Sequence, residues 1–171
     1  METKITIYIF NPQGYSLIQY LHVRRRRWYG KARGKTTGKE FLMLNTHFDH
    51  VGTEARRNSA LLIIDKIKEI AGTHPAMMTG DFNVSEEWEA YKTITSNEFV
   101  LKDAWKIAGK QSGENYTFHD FGRVPVAERE KIDFIFVTPQ IKVADAEIIS
   151  SAITDSTYLS DHNAHLADLE F

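Results

Sequence analysis

The sequence predicts a layered α/β domain in which short apolar strands alternate with covering helices and the chemistry sits at strand ends. Two observations carry this prediction. Apolar residues recur at helical spacing over residues 54–71. Compact apolar runs at residues 76–79 and 131–137 open or close on polar residues that can do chemistry.

Taken in order, residues 3–10 alternate well enough for a strand, and residues 15–23 form a second candidate after the Asn11-Pro12-Gln13-Gly14 turn. Residues 30–38, rich in Lys, Gly and Thr, read as an exposed hairpin tip, and residues 40–45 resume as a strand that leaves His47 at its end. Ala60, Ile64, Ile67 and Ala71, with Ile63 and Ile70 beside them, define an amphipathic helix stopped by Gly72. Residues 76–79 are then a short buried strand, residues 86–95 a helix, and residues 131–137, 141–149 and 164–171 further strands. There is no repeat, low-complexity tract or interdomain linker.

Length and composition set the bounds. A chain of 171 residues fits a single domain with a real core, and 42% hydrophobic with 12% aromatic content describes a folded protein. A net charge of -2 predicts no global attraction to nucleic acid or anionic lipid. The absence of cysteine excludes disulfides, thiolate metal sites and a Cys nucleophile. The first residues lack a long apolar core and a cleavage site, so neither a signal peptide nor a membrane span is expected. As written the chain reads as cytoplasmic, with a secreted or periplasmic origin left open should a segment precede Met1.

The chemistry-bearing segments are NTHFDH (residues 45–50), GDFN (80–83), KIDFIFV (131–137) and SDHN (160–163). In GDFN a strand's two-residue period would turn Asp81 and Asn83 to one side, so that one takes a proton while the other holds an oxygen. In SDHN a carboxylate and an imidazole are consecutive in a polar turn before the last strand. Asp133 is a charge inside an apolar strand, costly to bury unless paired, and an imidazolium is a suitable partner. The run of four arginines at residues 24–27 reads as exposed, since two of the four would point inward in a strand.

From about Thr37 to Phe171, these four segments in this order resemble the endonuclease/exonuclease/phosphatase family. The resemblance implies a DNase I-like four-layer α/β (α+β) sandwich, two packed and mainly antiparallel sheets flanked by helices, in a single domain over residues 1–171. Residues 1–36 would be its divergent part and residues 37–171 its family-like part. It also implies a magnesium-dependent phosphoric ester hydrolase, with manganese as the alternative metal, acting by in-line attack of an activated water. By this resemblance Asp81 is the base, Asn83 orients water and phosphate, His162 stabilises the transition state, Asp133 orients His162, and His47 contacts phosphate or leaving group. Asp161 is the metal-facing carboxylate. Arg56 and His119 are candidate substrate contacts, Arg56 reading equally as an exposed helix-face residue, while His22, His74 and His165 read as structural or exposed.

Family members also carry an early metal-associated Asn and a Glu that binds metal, and neither has a match here, Asn11 being the single Asn in the first forty residues. The first half of the fold is therefore expected to be incomplete, turnover weak, and self-association favoured through uncovered sheet surface. The substrate is a phosphate ester whose class, nucleic acid, lipid or small molecule, stays open. A rival enzyme reading takes NTHFDH for a metallo-β-lactamase-like zinc site, with Asp81 as a bridging carboxylate and His162 as a late ligand, although Asn45 stands where its first histidine should be and amides are poor zinc ligands. A further rival is an inactive family member that acts by binding.

Overall fold

The computed structural model describes residues 4–9, 29–34, 38–96, 101–154 and 156–170. The predicted strand at residues 15–23 and the arginine run at residues 24–27 lie outside these.

Strand β1 (Lys4–Ile9) is followed by β2 (Tyr29–Arg33) and β3 (Glu40–His47), which pair antiparallel. The expected hairpin tip is thus shorter than its composition implied, because residues 30–33 gain ladder hydrogen bonds from β3. Helix α1 (Thr53–Ala71) buries Ala60, Ile63, Ile64, Ile67 and Ala71, the stripe that its periodicity marks, and stops at Gly72 in a left-handed conformation (φ 58°). Strand β4 (Ala76–Asp81) is buried at every residue. Helix α2 (Glu89–Thr95) starts three residues later than expected, a turn occupying residues 86–88.

Five short elements had no sequence signal: β5 (Lys102–Asp103), α3 (Ala104–Ile107), β6 (Lys110–Gly113), and the hairpin of β9 (Ala152–Thr154) and β10 (Thr157–Tyr158). Each is at most four residues long, too brief for periodicity to register. Strands β7 (Asp133–Val137), β8 (Lys142–Ile149) and β11 (Ala164–Glu170) lie where the sequence placed them.

Two mixed sheets result. One has the order β2-β3-β4-β7-β5, the other β1-β11-β8-β6. Residues of β4 and β7 alternate between two cores. Met78, Phe134 and Phe136 face α1 and α2, whereas Met77, Ile135 and Val137 pack against Val143, Ala167 and Leu169 of the second sheet. The five-stranded sheet is therefore covered on both faces, by helices and by the other sheet, as its continuous apolar strands require. No helix among the described residues is long and apolar enough to cross a membrane.

Candidate active site

Register builds the site. His47 is paired with Asp81 across the parallel β3–β4 ladder, and Asp81 with Asp133 across the antiparallel β4–β7 ladder. Directly paired residues share a face, so these three side chains form one row at the edge of the cleft between the sheets. Gly80 makes the β3–β4 approach possible, since a Cβ there would lie 1.9 Å from the Thr46 carbonyl oxygen. Phe82, two residues after Gly80, is fully buried and anchors the turn by edge-on contacts with Phe48 (4.9 Å) and Phe136 (5.0 Å).

His162 reaches the row from the lead-in to β11. Its Nδ1 donates to Asp133 Oδ2 at 2.7 Å, and its Nε2 lies 3.9 Å from Asp81 Oδ2. His47 Nε2 lies 3.3 Å from the same Asp81 oxygen. The two oxygens of Asp81 are thereby divided: Oδ1 accepts the Asn83 amide N–H at 2.9 Å, while Oδ2 faces both imidazoles.

The electrostatics follow from burial. Desolvation, then the neighbouring charge of Asp133, raises the Asp81 pKa to about 7 against the pull of His162. Burial would depress His162, but its hydrogen bond with Asp133 and the charges of Asp133, Asp81 and Asp161 outweigh that and raise it to about 9. The site thus favours an imidazolium beside a carboxyl that holds its proton more tightly than an ordinary aspartate.

Asn83 departs from the strand-period argument. Strand β4 ends at Asp81 and Asn83 is left-handed (φ 49°), so its carboxamide turns to donate to the Phe48 carbonyl at 2.9 Å. Arg56 is not an exposed helix-face residue. It is 3% exposed, bonded to the Asp49 carbonyl (2.9 Å) and the Thr53 hydroxyl (3.3 Å), and lies 4.9 Å from the centre of the Trp88 ring. His119 is fully buried, with Nδ1 accepting the Gly122 amide and Nε2 bonded to Ser151 Oγ at 2.9 Å. Burial lowers its pKa, which suits the neutral ring those bonds describe. His165 is buried against the Asp133 carbonyl, and burial lowers its pKa to about 4, whereas His74 is half-buried near Glu40.

Of residues 45–50 the zinc reading finds one donor at the site, His47. The Asn45 amide goes to Thr79 Oγ1, Asp49 Oδ1 accepts the Val51 and Gly52 amides, and His50 is exposed. A different group offers metal ligand atoms within 4.8 Å of one another: Asp81, Asp133 and His162. Asp161, the carboxylate expected to face metal, stands outside that group, half-buried beside Ser160, although its charge is felt at both Asp81 and His162. Two adjacent buried carboxylates with an imidazole beside them are a donor set that fits a divalent cation.

Three supporting residues were missed by sequence reasoning. Thr117 Oγ1 accepts the amides of Ile132 and Asp133 at 3.0 Å each and so fixes the start of β7. Asn163 ties Ser151 to Tyr116 through its carboxamide, and Ser160 Oγ accepts the His162 amide. The one available signal was position, Ser160 and Asn163 belonging to SDHN and Thr117 lying two residues before His119.

The sequence model of the Endonuclease/Exonuclease/phosphatase family matches residues 3–162. Among solved structures, the chain is 51% identical to an endonuclease/exonuclease/phosphatase from Bacteroides vulgatus, with a TM-score of 0.79, over 98% of this chain and 64% of that one. It is 33% identical to a mannosyl-6-phosphatase of Bacteroides thetaiotaomicron, with a TM-score of 0.74, over 84% of this chain and 56% of that one. The human Nocturnin catalytic domain shares the fold at 19% identity, with a TM-score of 0.63, over 98% of this chain and 72% of that one. The chain thus spans less than two thirds of the two Bacteroides proteins. No curated protein gives a significant match.

Proposed function

The chain belongs to the endonuclease/exonuclease/phosphatase family, and from that premise we propose that it hydrolyses a phosphate ester, diester or monoester, by in-line attack of water. The observation that carries this reading is the single oxygen, Asp81 Oδ2, set between two imidazole Nε2 atoms with Asp133 behind one of them. Asp81 takes the water proton as the water oxygen bonds to phosphorus, and the ester P–O bond breaks with its electron pair on the departing oxygen, which takes up a proton from solvent. A pKa near 7 fits a base working at neutral pH.

His162, held cationic by Asp133, donates toward the phosphoryl oxygens where negative charge grows, and His47 supplies a second donor from the other side. Asn83 keeps Asp81 Oδ1 engaged, so that Oδ2 alone meets the water. Asp161, whose charge is felt at Asp81 and His162, would hold a divalent cation, magnesium or manganese, next to the Asp81–Asp133–His162 group. Such a cation supplies charge neutralisation at the phosphate.

The test is turnover of bis-p-nitrophenyl phosphate and of a sugar 6-phosphate with added magnesium, the latter because a 33% identical relative is a mannosyl-6-phosphatase. Turnover abolished by Asp81→Asn and by His162→Ala supports the reading. Tight phosphate binding without turnover would instead favour a family member that acts by binding.

A further inference from the structure

The turn after His119 carries strain that the hydrolytic machinery does not use. Asp120 (φ 49°), Phe121 (φ 53°) and Gly122 (φ 80°) are consecutive left-handed residues. For glycine this is ordinary, and at Gly122 a Cβ would come within 2.5 Å of the Tyr158 ring. For a bulky residue such as Phe it is costly and persists only where its surroundings enforce it. The surroundings do so: the amides of His119 and Asp120 both donate to the Asp161 carbonyl at 3.1 Å, the Gly122 amide donates to His119 Nδ1, and Arg123 N–H donates to the Asp120 carbonyl. Phe118, three residues before Phe121, bridges to His162 and packs 5.0 Å from its ring.

This enforced geometry displays an aromatic ring rather than hiding one. Phe121 is 47% exposed, and Arg123 stands over it at 5.8 Å, itself paired to Asp120 Oδ1 at 2.6 Å. The turn is thus fastened to the backbone of Asp161 while presenting an apolar face flanked by the ion pair of exposed Arg123 and half-buried Asp120.

We propose that Phe121 is a substrate platform, with Arg123 and Asp120 beside it, for the ring of a sugar phosphate. A pyranose has an apolar C–H face that stacks on an aromatic ring, and adjacent hydroxyls that both donate to a carboxylate and accept from a guanidinium. Nucleic acid suits the turn less well, because its acidic neighbours Asp120 and Asp161 offset Arg123 and the whole chain is acidic by two charges. This inference rests on the phosphate-ester reading above and names its substrate class.

The experiment uses the full chain carrying Asp81→Asn, to suppress turnover, and measures calorimetric binding of glucose 6-phosphate, acyclic glycerol 3-phosphate and thymidine 5'-phosphate with magnesium present. Adding Phe121→Ala should weaken glucose 6-phosphate binding about tenfold and leave glycerol 3-phosphate unchanged, and Phe121→Trp should restore it. In active protein the same substitution should raise KM for glucose 6-phosphate with kcat little changed, the signature of lost ground-state binding. Equal weakening of the cyclic and acyclic esters, no weakening, or no binding of glucose 6-phosphate at all would overturn the proposal. So would a Phe121-dependent preference for thymidine 5'-phosphate. Hydrolysis that survives Asp81→Asn would instead sink the catalytic reading, a result independent of which ring stacks.

Discussion

His162 and Asp133 share a hydrogen bond of 2.7 Å between two buried side chains, and through it the four-stranded sheet's leading turn is joined to the five-stranded sheet. Asp133→Asn keeps the shape and removes the charge. The His162 pKa should then fall well below 9, seen by NMR titration of its imidazole, and kcat should drop about 100-fold or more. An unmoved His162 titration would break the link.

The activity profile should be a bell. Turnover rises as Asp81 ionises through pH 7 and falls as His162 loses its proton through pH 9. Measured kcat against pH checks both limbs, and Asp133→Asn should move the alkaline limb downward and the acid limb with it, because the Asp133 charge also helps to raise Asp81.

Stability should run the other way. Folding raises Asp81 from 3.8 to about 7, so the native state binds this proton more tightly. Its stabilising contribution is complete below pH 3.8 and lost as pH rises through 7. His162 has the same sign between 6.5 and about 9. At pH 8 the ionised Asp81 is therefore a burden, and Asp81→Asn should stabilise the fold by roughly 2 kcal/mol while abolishing turnover. Thermal melts of the two proteins at pH 8 give the comparison, and a destabilised variant would contradict it.

Gly80→Ala should be among the most damaging single substitutions. Its methyl group would meet the Thr46 carbonyl at 1.9 Å and force β3 and β4 apart, so a loss of about 3 kcal/mol or failure to fold is expected. The same change at Gly30, where nothing lies within 4 Å, should be nearly silent in a denaturant titration.

Chelation should separate the site from the fold. Both cores are built of apolar side chains, and none of Asp81, Asp133 and His162 belongs to either. Excess EDTA should stop turnover while leaving near-UV circular dichroism intact, with recovery on adding magnesium or manganese.

The sequence was most legible where chemistry and periodicity coincide. The stripe of α1, the stop at Gly72 and the apolar runs of β4 and β7 were each readable, because burial dictates those patterns. A buried charge in β7 called for a partner, and His162 lies against it. What stayed illegible depended on contacts between distant segments. The burial of Arg56 requires Trp88 and the Asp49 carbonyl, neither visible from its place on the helix. The turn of Asn83 away from the strand period needed the Phe48 carbonyl as its acceptor, and Phe121 looks like any loop aromatic until its backbone conformation is known.

Because His47, Asp81, Asp133 and His162 arrive from four separate stretches of chain, no local segment can assemble the site early. Each ladder must close and the two sheets must then dock before His162 meets Asp133. Helical signal should therefore return first on dilution from denaturant, and hydrolytic competence last, making activity a clock for the final docking event.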